Sequence, residues 1–242
     1  MAKQRVDILY QDDQIIVVNK PPGVLTIPDR HKPELFNLQH FLSETYGRAW
    51  VVHRLDRETS GVLVFARQAG AHRDLSLQFE KRQVQKHYLA LVDGLPTPRE
   101  AEIDKPIGPH PGQAGKMAII RTGKPSISRY RVLESFRQFS LLEVEIMTGR
   151  THQIRVHLAA IGHPLAVDPL YGKREGFYLS EVKGQKYQLA KHKEERPLMS
   201  RNSLHAYKLS FDHPVTKKRM QIEGPLPKDF GAVIKQLRKW GK

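Results

Sequence analysis

The sequence predicts an α+β fold built around a mixed, mostly antiparallel sheet. Predicted strands outnumber predicted helices, the two do not alternate regularly, and no internal repeat of fixed period is found. Regular alternation would instead indicate a doubly wound parallel sheet. The 242 residues are 39% apolar, which is enough to bury a hydrophobic core.

Apolar alternation and turn residues divide the N-terminal part of the chain into strands and helices. Ile8–Asn19 is expected to form two strands around the turn Asp12-Asp13. Further strands are predicted at Val51-Val52, Val62–Ala66 and Tyr88–Val92. Helical spacing of apolar residues predicts helices over Leu35–Thr45 and Ala71–Arg82. The polar loop Arg54–Gly61 therefore lies between two strands.

The C-terminal part begins with Leu95–Thr122, which is rich in proline and glycine and is expected to be mostly loop. An antiparallel pair, a helix, two more strands and a basic terminal helix then follow. They are predicted at Ser126–Glu134, Phe139–Met147, Thr151–Ile161, Leu204–Phe211, Met220–Glu223 and Asp229–Trp240. Pro169–Ser200 is charged and without periodicity, so it is expected to be an exposed insertion, with its basic part at Lys173–Arg201.

The charge balance indicates a polyanionic partner. Lysine and arginine number 40 against 25 aspartates and glutamates, a surplus of +15. A surplus of this size attracts polyanions, because each phosphate contact releases condensed counterions. Nucleic acid is the first candidate and an anionic membrane surface the second.

Several chemistries are excluded or disfavoured by composition. The chain has no cysteine, which excludes disulfides, a cysteine nucleophile and cysteine-ligated metal sites. His152 and His157 are five residues apart, so they diverge on a helix and make a poor metal pair. No nucleotide-binding or serine-hydrolase motif is present. No secretory signal is visible, and apolar runs fall far short of the roughly 20 residues that span a bilayer. We expect a cytoplasmic protein with no cofactor, no metal and no membrane contact.

Three polar segments interrupt the apolar strand and helix patterns. The loop around Asp56 is compatible with an active site or with a surface turn held by local salt bridges. Arg155 lies at the border of an apolar helix stripe, where it either points outward or meets a buried carboxylate. Tyr88 lies on a strand face with Ala90 and Val92, which by itself favours a core tyrosine.

Together these segments resemble the RluA-type family of RNA pseudouridine synthases. The loop His53-Arg54-Leu55-Asp56-Arg57-Glu58-Thr59-Ser60-Gly61 matches the family's catalytic motif without a gap. The other matching motifs follow in the family's order, at Ile8–Gly23, Lys86–Gly94, Thr148–His157 and Leu204-His205-Ala206. These motifs extend over most of the chain.

The resemblance implies a bipartite catalytic domain around a long mixed sheet, with an RNA-binding cleft across its middle. It implies that residues 1–242 form this single domain, without the N-terminal S4 domain that many relatives carry. Asp56 would be the nucleophile, Arg155 its salt-bridge partner and Tyr88 the aromatic group against the target uracil. The side chains expected to contact RNA are Arg54, Arg57, His53, Arg150, His152 and Gln153.

The expected substrate is structured RNA, with ribosomal RNA first and transfer RNA second. We expect a monomer, because no long exposed apolar stripe is visible. One alternative is an RNA-binding protein without catalysis, although binding alone gives no reason for a carboxylate in a polyanion site. A nuclease or glycosidase is the other alternative. It would need a second carboxylate or a metal cluster, and only Asp56 lies in a signature context.

Overall fold

The computed structural model describes residues 6–188 and 194–241. Its strands, in chain order, are β1 (Asp7–Gln11), β2 (Ile15–Lys20), β3 (Trp50–Val51), β4 (Ser60–Ala66), β5 (Gln85–Asp93), β6 (Glu100–Asp104), β7 (Ile107–Pro109), β8 (Met117–Ile119), β9 (Ile127–Ser135), β10 (Phe139–Ile146), β11 (Leu204–Asp212) and β12 (Arg219–Glu223). The helices are α1 (Leu38–Tyr46), α2 (Ala69–Glu80), α3 (Gln153–Ala160), α4 (Leu179–Lys183) and α5 (Lys228–Trp240). A short 3-10 helix, Gly184–Lys186, follows α4.

The chain forms two compact units, and each is discontinuous in sequence. Unit 1 comprises Met1–His87 and His205–Pro225, and unit 2 comprises Tyr88–Leu204 and Leu226–Lys242. The boundary divides β5, so that most of this strand belongs to unit 2.

In unit 1 the strands follow the order β1-β2-β4-β11, with β12 beside β11 and β3 beside β4. All pairs are antiparallel except β4 with β11, which run parallel. Every residue of β4 is buried, which explains why its sequence is a continuous apolar run. Leu75 of α2 and Phe211 of β11 pack into the same core as Val64.

In unit 2 the strands follow the order β5-β10-β9-β6, and β7 and β8 form a separate antiparallel pair. The terminal helix α5 buries Phe230, Val233, Ile234 and Leu237. Their spacing of three and four residues gives a single apolar face with a polar face opposite. This face packs into the core that includes Leu91 and Phe139.

The predicted α+β class and mostly antiparallel pairing are confirmed, and the predicted helices lie within three residues of the observed ones. Leu95–Thr122 is mostly loop, as predicted, and the short strands β6, β7 and β8 lie within it. These strands have three to five residues each, too few for a clear apolar alternation.

The prediction that Pro169–Ser200 is an exposed insertion is confirmed for most of its described residues but is wrong at two buried side chains. Phe177 is 0% exposed and Met199 is 2% exposed, and both belong to the core of unit 2. The Phe177 amide donates to the Met199 carbonyl at 2.8 Å, so the two ends of this segment are held together. Residues 189–193 of the predicted basic insertion Lys173–Arg201 lie outside the described residues. Within the described ranges, no helix is long and apolar enough to cross a membrane.

Candidate active site

Asp56 lies in a turn of unit 1, in the loop that leads from β3 into β4. The turn is closed by the Thr59 amide, which donates to the Asp56 carbonyl at 3.0 Å. The preceding residue, Leu55, is buried. Its amide donates to Thr26 Oγ1 at 3.4 Å, and the Thr26 hydroxyl donates to the Leu55 carbonyl at 3.2 Å. The half-buried Asp56 is therefore held next to a fixed residue.

A buried lysine fixes the other side of the same loop. Lys20, at the end of β2, is 0% exposed. Its ammonium group donates to the carbonyl oxygens of Pro21, Val24 and Arg57 at 3.0, 2.7 and 2.8 Å. These three bonds equal the three donors of a lysine ammonium group. The lysine thus links the Arg57 carbonyl, just after Asp56, to the Pro21–Val24 turn by hydrogen bonds.

The end of the loop is joined to β11 by a contact that requires glycine. Gly61 has a φ of +123°, and a Cβ there would lie 2.1 Å from the carbonyl oxygen of Ala206. Ser60 Oγ lies 2.9 Å from His205 Nδ1, and His205 Nε2 lies 3.2 Å from the Gly224 carbonyl. Since a carbonyl only accepts, His205 carries its proton on Nε2 and Ser60 donates to Nδ1.

His53 takes part in the packing of unit 1. Its ring stacks on Phe79 with centroids 4.6 Å apart, and its Nε2 accepts from the Val64 amide at 3.2 Å. Burial, with a smaller contribution from the positive charge of Lys86, lowers the pKa of His53 to about 3. The imidazole is therefore neutral at physiological pH, and its predicted contact with RNA stays a prediction.

The two arginines that flank Asp56 are exposed. Arg54 is exposed, and Arg57 donates through Nε to the Gly23 carbonyl at 3.1 Å. Arg57 Nε also lies 3.8 Å from the Glu58 carboxylate, an exposed pair of small energetic value. Both guanidinium groups are positioned at the surface, where a phosphate can reach them.

In unit 2, Arg155 forms a buried bidentate ion pair with Asp168. Arg155 Nε and Asp168 Oδ2 are 2.7 Å apart, and Nη2 and Oδ1 are 2.9 Å apart. Arg155 is 6% exposed and Asp168 is 0% exposed. Asp168 Oδ1 also accepts from the amides of Leu170 and Tyr171. Arg155 therefore meets a buried carboxylate, as one of the two sequence-based alternatives predicted, and Asp168 is a carboxylate that the sequence analysis missed.

Tyr171 lies against the same arginine. The Arg155 guanidinium carbon is 4.9 Å from the centre of the Tyr171 ring. The Tyr171 hydroxyl accepts from the Met117 amide at 2.8 Å and lies 2.9 Å from His152 Nδ1. His152 precedes α3 with a φ of 55°, a left-handed conformation uncommon outside glycine. Tyr171 thus connects Arg155 to His152.

The remaining polar residues of this motif orient α3. Gln153 Nε2 donates to the Ile127 carbonyl at 2.9 Å and to Ser128 Oγ at 3.0 Å. Its Oε1 accepts from the Thr148 hydroxyl and the Arg150 amide at 2.7 and 3.1 Å. These bonds use the full hydrogen-bonding capacity of the Gln153 amide, so the structure gives this residue a structural role. Its predicted contact with RNA stays a prediction.

His157 adds a second connection between α3 and β9. Its Nδ1 lies 2.9 Å from Ser128 Oγ, and its Nε2 lies 3.0 Å from the Lys105 carbonyl. Burial is the main cause that lowers the pKa of His157. Because Gln153 and His157 are four residues apart, they share one face of α3. That face is fixed to β9.

Tyr88 lies on β5 and is 8% exposed. Ala90 and Val92, two and four residues further, are buried as well, as the predicted strand face requires. Asp56 belongs to unit 1, whereas Tyr88 and Arg155 belong to unit 2. Among the described residues, no group of three or more histidines, aspartates or glutamates is arranged to hold a metal ion.

The fold is that of a pseudouridylate synthase domain. The solved structure of human RNA pseudouridylate synthase domain containing 4 superposes with a TM-score of 0.71 and 25% sequence identity. The superposition covers 96% of this chain and 93% of the human chain.

Sequence comparison leads to the same class of protein. Residues 14–160 match the RNA pseudouridylate synthase family. The chain is 40% identical to ribosomal large subunit pseudouridine synthase D of Pseudomonas aeruginosa, over 97% of this chain and 72% of that protein. Its identity to the protein of the same name from Nitrosomonas europaea is 38%, over 96% of this chain and 65% of that protein. The chain therefore belongs to the RNA pseudouridine synthase family, and the resemblance to its RluA-type members is confirmed. It is an isomerase that acts on uridines in RNA.

Proposed function

We propose that this enzyme converts uridines of ribosomal RNA to pseudouridine, as a cytoplasmic monomer, with Asp56 as the nucleophile. Two relatives with 40% and 38% identity are named as synthases of the large ribosomal subunit, which supports this choice of RNA. Transfer RNA is the second candidate. The observation that carries the assignment of Asp56 is the fixed loop around it, held by Lys20, Thr26 and the turn to Thr59.

The reaction needs a carboxylate and no change of oxidation state. The bond between N1 of uracil and C1′ of ribose breaks, the uracil turns, and C5 bonds to C1′. The proton on C5 leaves to solvent and N1 gains a proton, so the net composition is unchanged. Asp56 supports this sequence by attacking C1′, by assisting glycal formation or by adding to C6.

Arg155 is the proposed cationic partner for Asp56 in this chemistry. Its guanidinium group already has a fixed orientation, because Asp168 binds two of its nitrogens and Tyr171 packs against its face. A guanidinium group has five donors, so a pair with Asp168 leaves others for a second acceptor. A fixed guanidinium group loses little conformational entropy when it binds a second anion.

The target uridine is proposed to leave its base stack before it reacts. A carboxylate cannot reach C1′ inside a stacked helix, and extrusion of a base costs about a few kcal/mol. Tyr88 is proposed to lie against the extruded uracil, while Arg54 and Arg57, with Arg150 and His152, contact the RNA backbone. In the variant Tyr88→Phe, loss of turnover with unchanged RNA binding would assign Tyr88 to proton transfer, and retained turnover would assign it to stacking.

The first experiment compares the Asp56→Asn variant with the wild-type protein. The substrates are unmodified transcripts of large-subunit ribosomal RNA and of transfer RNAs, made with 5-³H-uridine, and the measurement is tritium released to water. We expect release by the wild type from the ribosomal transcript and none by Asp56→Asn, which still binds the RNA.

The matched control is Glu58→Gln, which removes a carboxylate two positions away in the same loop. It should release tritium at close to the wild-type rate. Release by Asp56→Asn would contradict the nucleophile assignment, and release from transfer RNA alone would contradict the choice of RNA. Cleavage of the transcript would instead support a nuclease.

A further inference from the structure

A cluster of cations surrounds Trp240 at the end of α5 in unit 2. The ammonium groups of Lys183, Lys186 and Lys239 lie 5.2, 5.9 and 4.9 Å from the centre of the Trp240 ring. We call these four residues the Trp240 surface. Three like charges around one ring repel each other, and the negative face of the indole offsets only part of this repulsion. An anion bound between them would offset the rest.

The lysines of the Trp240 surface make no ion pair with any described carboxylate, whereas nearby arginines do. Arg238, next to Lys239, binds the Glu134 carboxylate through two nitrogens at 3.0 and 2.6 Å. Arg174 pairs with Asp93 and Glu181. The acidic side chains of this region are thus bound by arginines, and the positive charge of the three lysines is left uncompensated.

A groove runs beside this surface. It has a volume of about 590 Å³ and is lined by Arg137, Phe139, Lys183, Lys186 and Leu237, among others. Its volume lies in the range of sites that bind small organic groups. Its lining combines cations, apolar side chains and Glu181, whose carboxylate is paired with Arg174. A nucleotide has the matching chemistry, with a phosphate for the cations and a flat base for the apolar wall.

We propose that the Trp240 surface and the adjoining groove form an RNA-binding site of unit 2, distinct from the catalytic residues. It takes a single-stranded or loop segment of the substrate RNA, with phosphates at the three lysines and a base in the groove. Cationic side chains interleaved with aromatic ones are the usual means of holding single strands without strict sequence readout. The inference requires only that the substrate is RNA, and it is independent of which RNA the enzyme modifies.

Lysines near helix C-termini also interact favourably with the helix dipole, and α4 and α5 both end here. That role would affect the stability of the protein and leave the affinity for RNA unchanged. An anionic membrane would also attract the cations, but a lipid headgroup offers no flat base for the apolar part of the groove. The experiment therefore measures RNA affinity, stability and vesicle binding separately.

The test variant carries Lys183→Gln, Lys186→Gln and Lys239→Gln. The control variant has the same loss of charge at exposed lysines of unit 1 that form no salt bridge with a described carboxylate, Lys32→Gln, Lys81→Gln and Lys218→Gln. The dissociation constant for a large-subunit ribosomal RNA transcript is measured by filter binding over a series of KCl concentrations. Melting temperatures, and binding to vesicles of anionic phospholipid, are measured in parallel.

We expect the test variant to bind the transcript about tenfold more weakly than the control variant. The slope of log affinity against log salt should be about 2 units less steep, because three phosphate contacts to single-stranded RNA are lost. Turnover of saturating RNA should be unchanged, since no catalytic residue is altered. Equal RNA affinities and equal salt slopes in the two variants would overturn the proposal. It would also be overturned if the wild type and the control variant bound the vesicles, the test variant did not, and both variants bound RNA equally well.

The outcome is separable from that of the Asp56 experiment. Turnover by Asp56→Asn would refute the nucleophile and leave the Trp240 surface as proposed. Wild-type RNA affinity in the triple lysine variant would refute the surface and leave the nucleophile as proposed. A fall in melting temperature without a change in affinity would assign the lysines to the helix ends and also refute the proposal.

Discussion

Single residues of the motifs act mainly by fixing backbone near Asp56 and Arg155. Gly61 allows β4 to approach β11, Lys20 binds three carbonyl groups, and Asp168 binds Arg155 together with two amides. Each of these roles depends on one chemical property: the absence of a side chain, three donors on one nitrogen, or two acceptors on one carboxylate. Substitutions that remove only that property therefore test the roles one at a time.

Gly61→Ala should destabilise the protein by about 3 kcal/mol or more, because a positive φ and a blocked Cβ position act together. The added Cβ would lie 2.1 Å from Ala206 O. Chemical denaturation gives the free energy of unfolding. Gly70→Ala is the matched control, since Gly70 lies in α2 with nothing within 4 Å of its Cβ position. That variant should change the free energy of unfolding by less than about 1 kcal/mol, since Gly70 lies in the first turn of α2. Equal effects of the two variants would contradict the close approach of β4 to β11.

The pKa of His53 predicts how stability depends on pH. It is about 3 in the folded protein, whereas an unfolded histidine titrates near 6.5. Because the folded pKa is lowered, the stabilising contribution is complete above about pH 6.5 and is lost as pH falls toward 3. Between pH 6.5 and 5 the loss is about 2 kcal/mol.

Denaturation of the wild type and of His53→Gln at pH 7 and pH 5 measures this contribution. The variant should show a smaller decrease between the two values, by about 2 kcal/mol. The lowered pKa of His157 contributes a further decrease in both proteins. His31→Gln, which alters an exposed histidine, should keep the wild-type pH dependence. The same dependence in all three proteins would show that His53 is not buried in its neutral form.

At the scale of elements, α3 and the segment after it are fixed on two sides. Gln153 and His157 bind β9 from one face of the helix, and Arg155 binds Asp168 from another. The helix has only eight residues, too short to be stable by itself in water. Its position, and with it the orientation of Arg155, therefore depends on these polar contacts.

Asp168→Asn should lower the free energy of unfolding by about 3 kcal/mol and reduce turnover strongly. The amide keeps an acceptor for Leu170 and Tyr171 but places a donor against Arg155 Nε, and loss of one partner of a buried pair is costly. Denaturation and tritium release measure the two effects. Glu102→Gln makes the same chemical change in an exposed pair with Arg129 and should cost less than about 1 kcal/mol. A similarly small cost for Asp168→Asn would contradict its structural role.

Elements whose apolar residues recur at regular spacing along their whole length were predictable from sequence. Contacts between single residues on different elements were not. The terminal helix and the pair β9–β10 were found because their buried positions recur at helical or alternating spacing. Asp168 has no such pattern, since its partner Arg155 lies 13 residues away on another element. Phe177 and Met199 were missed because a charged segment with two separated anchors has the same composition as an exposed loop.

At the scale of the whole molecule, each unit is built from two separate stretches of chain. Unit 1 needs His205–Pro225, which supplies β12 and nearly all of β11, and unit 2 needs Leu226–Lys242, which supplies α5. β11 contributes Leu209 and Phe211 to the core of unit 1. The core of each unit is therefore incomplete until its second stretch is present.

Two shortened chains test this dependence. A chain that ends at Ser203 lacks β11 and β12, whereas one that ends at Pro225 lacks only α5. Trp50 packs against the core of unit 1 and is the only tryptophan left in either chain. We expect the longer chain to show the blue-shifted fluorescence of a packed indole and cooperative loss of it in urea. The shorter chain should show the emission of a solvated indole, and a cooperative transition in it would contradict the requirement for β11.

Because each unit is built from two separate stretches of chain, the order of synthesis determines when each core can form. A ribosome releases the chain from its N-terminus, so β4 emerges long before β11, its partner from the later stretch of unit 1. Until then the apolar strand β4 has an uncovered edge, the kind of surface through which nascent chains associate. Both cores are completed only after β11 and α5 have been translated. Translation pauses after β4 has emerged and before β11 has emerged would therefore prolong the exposure of β4.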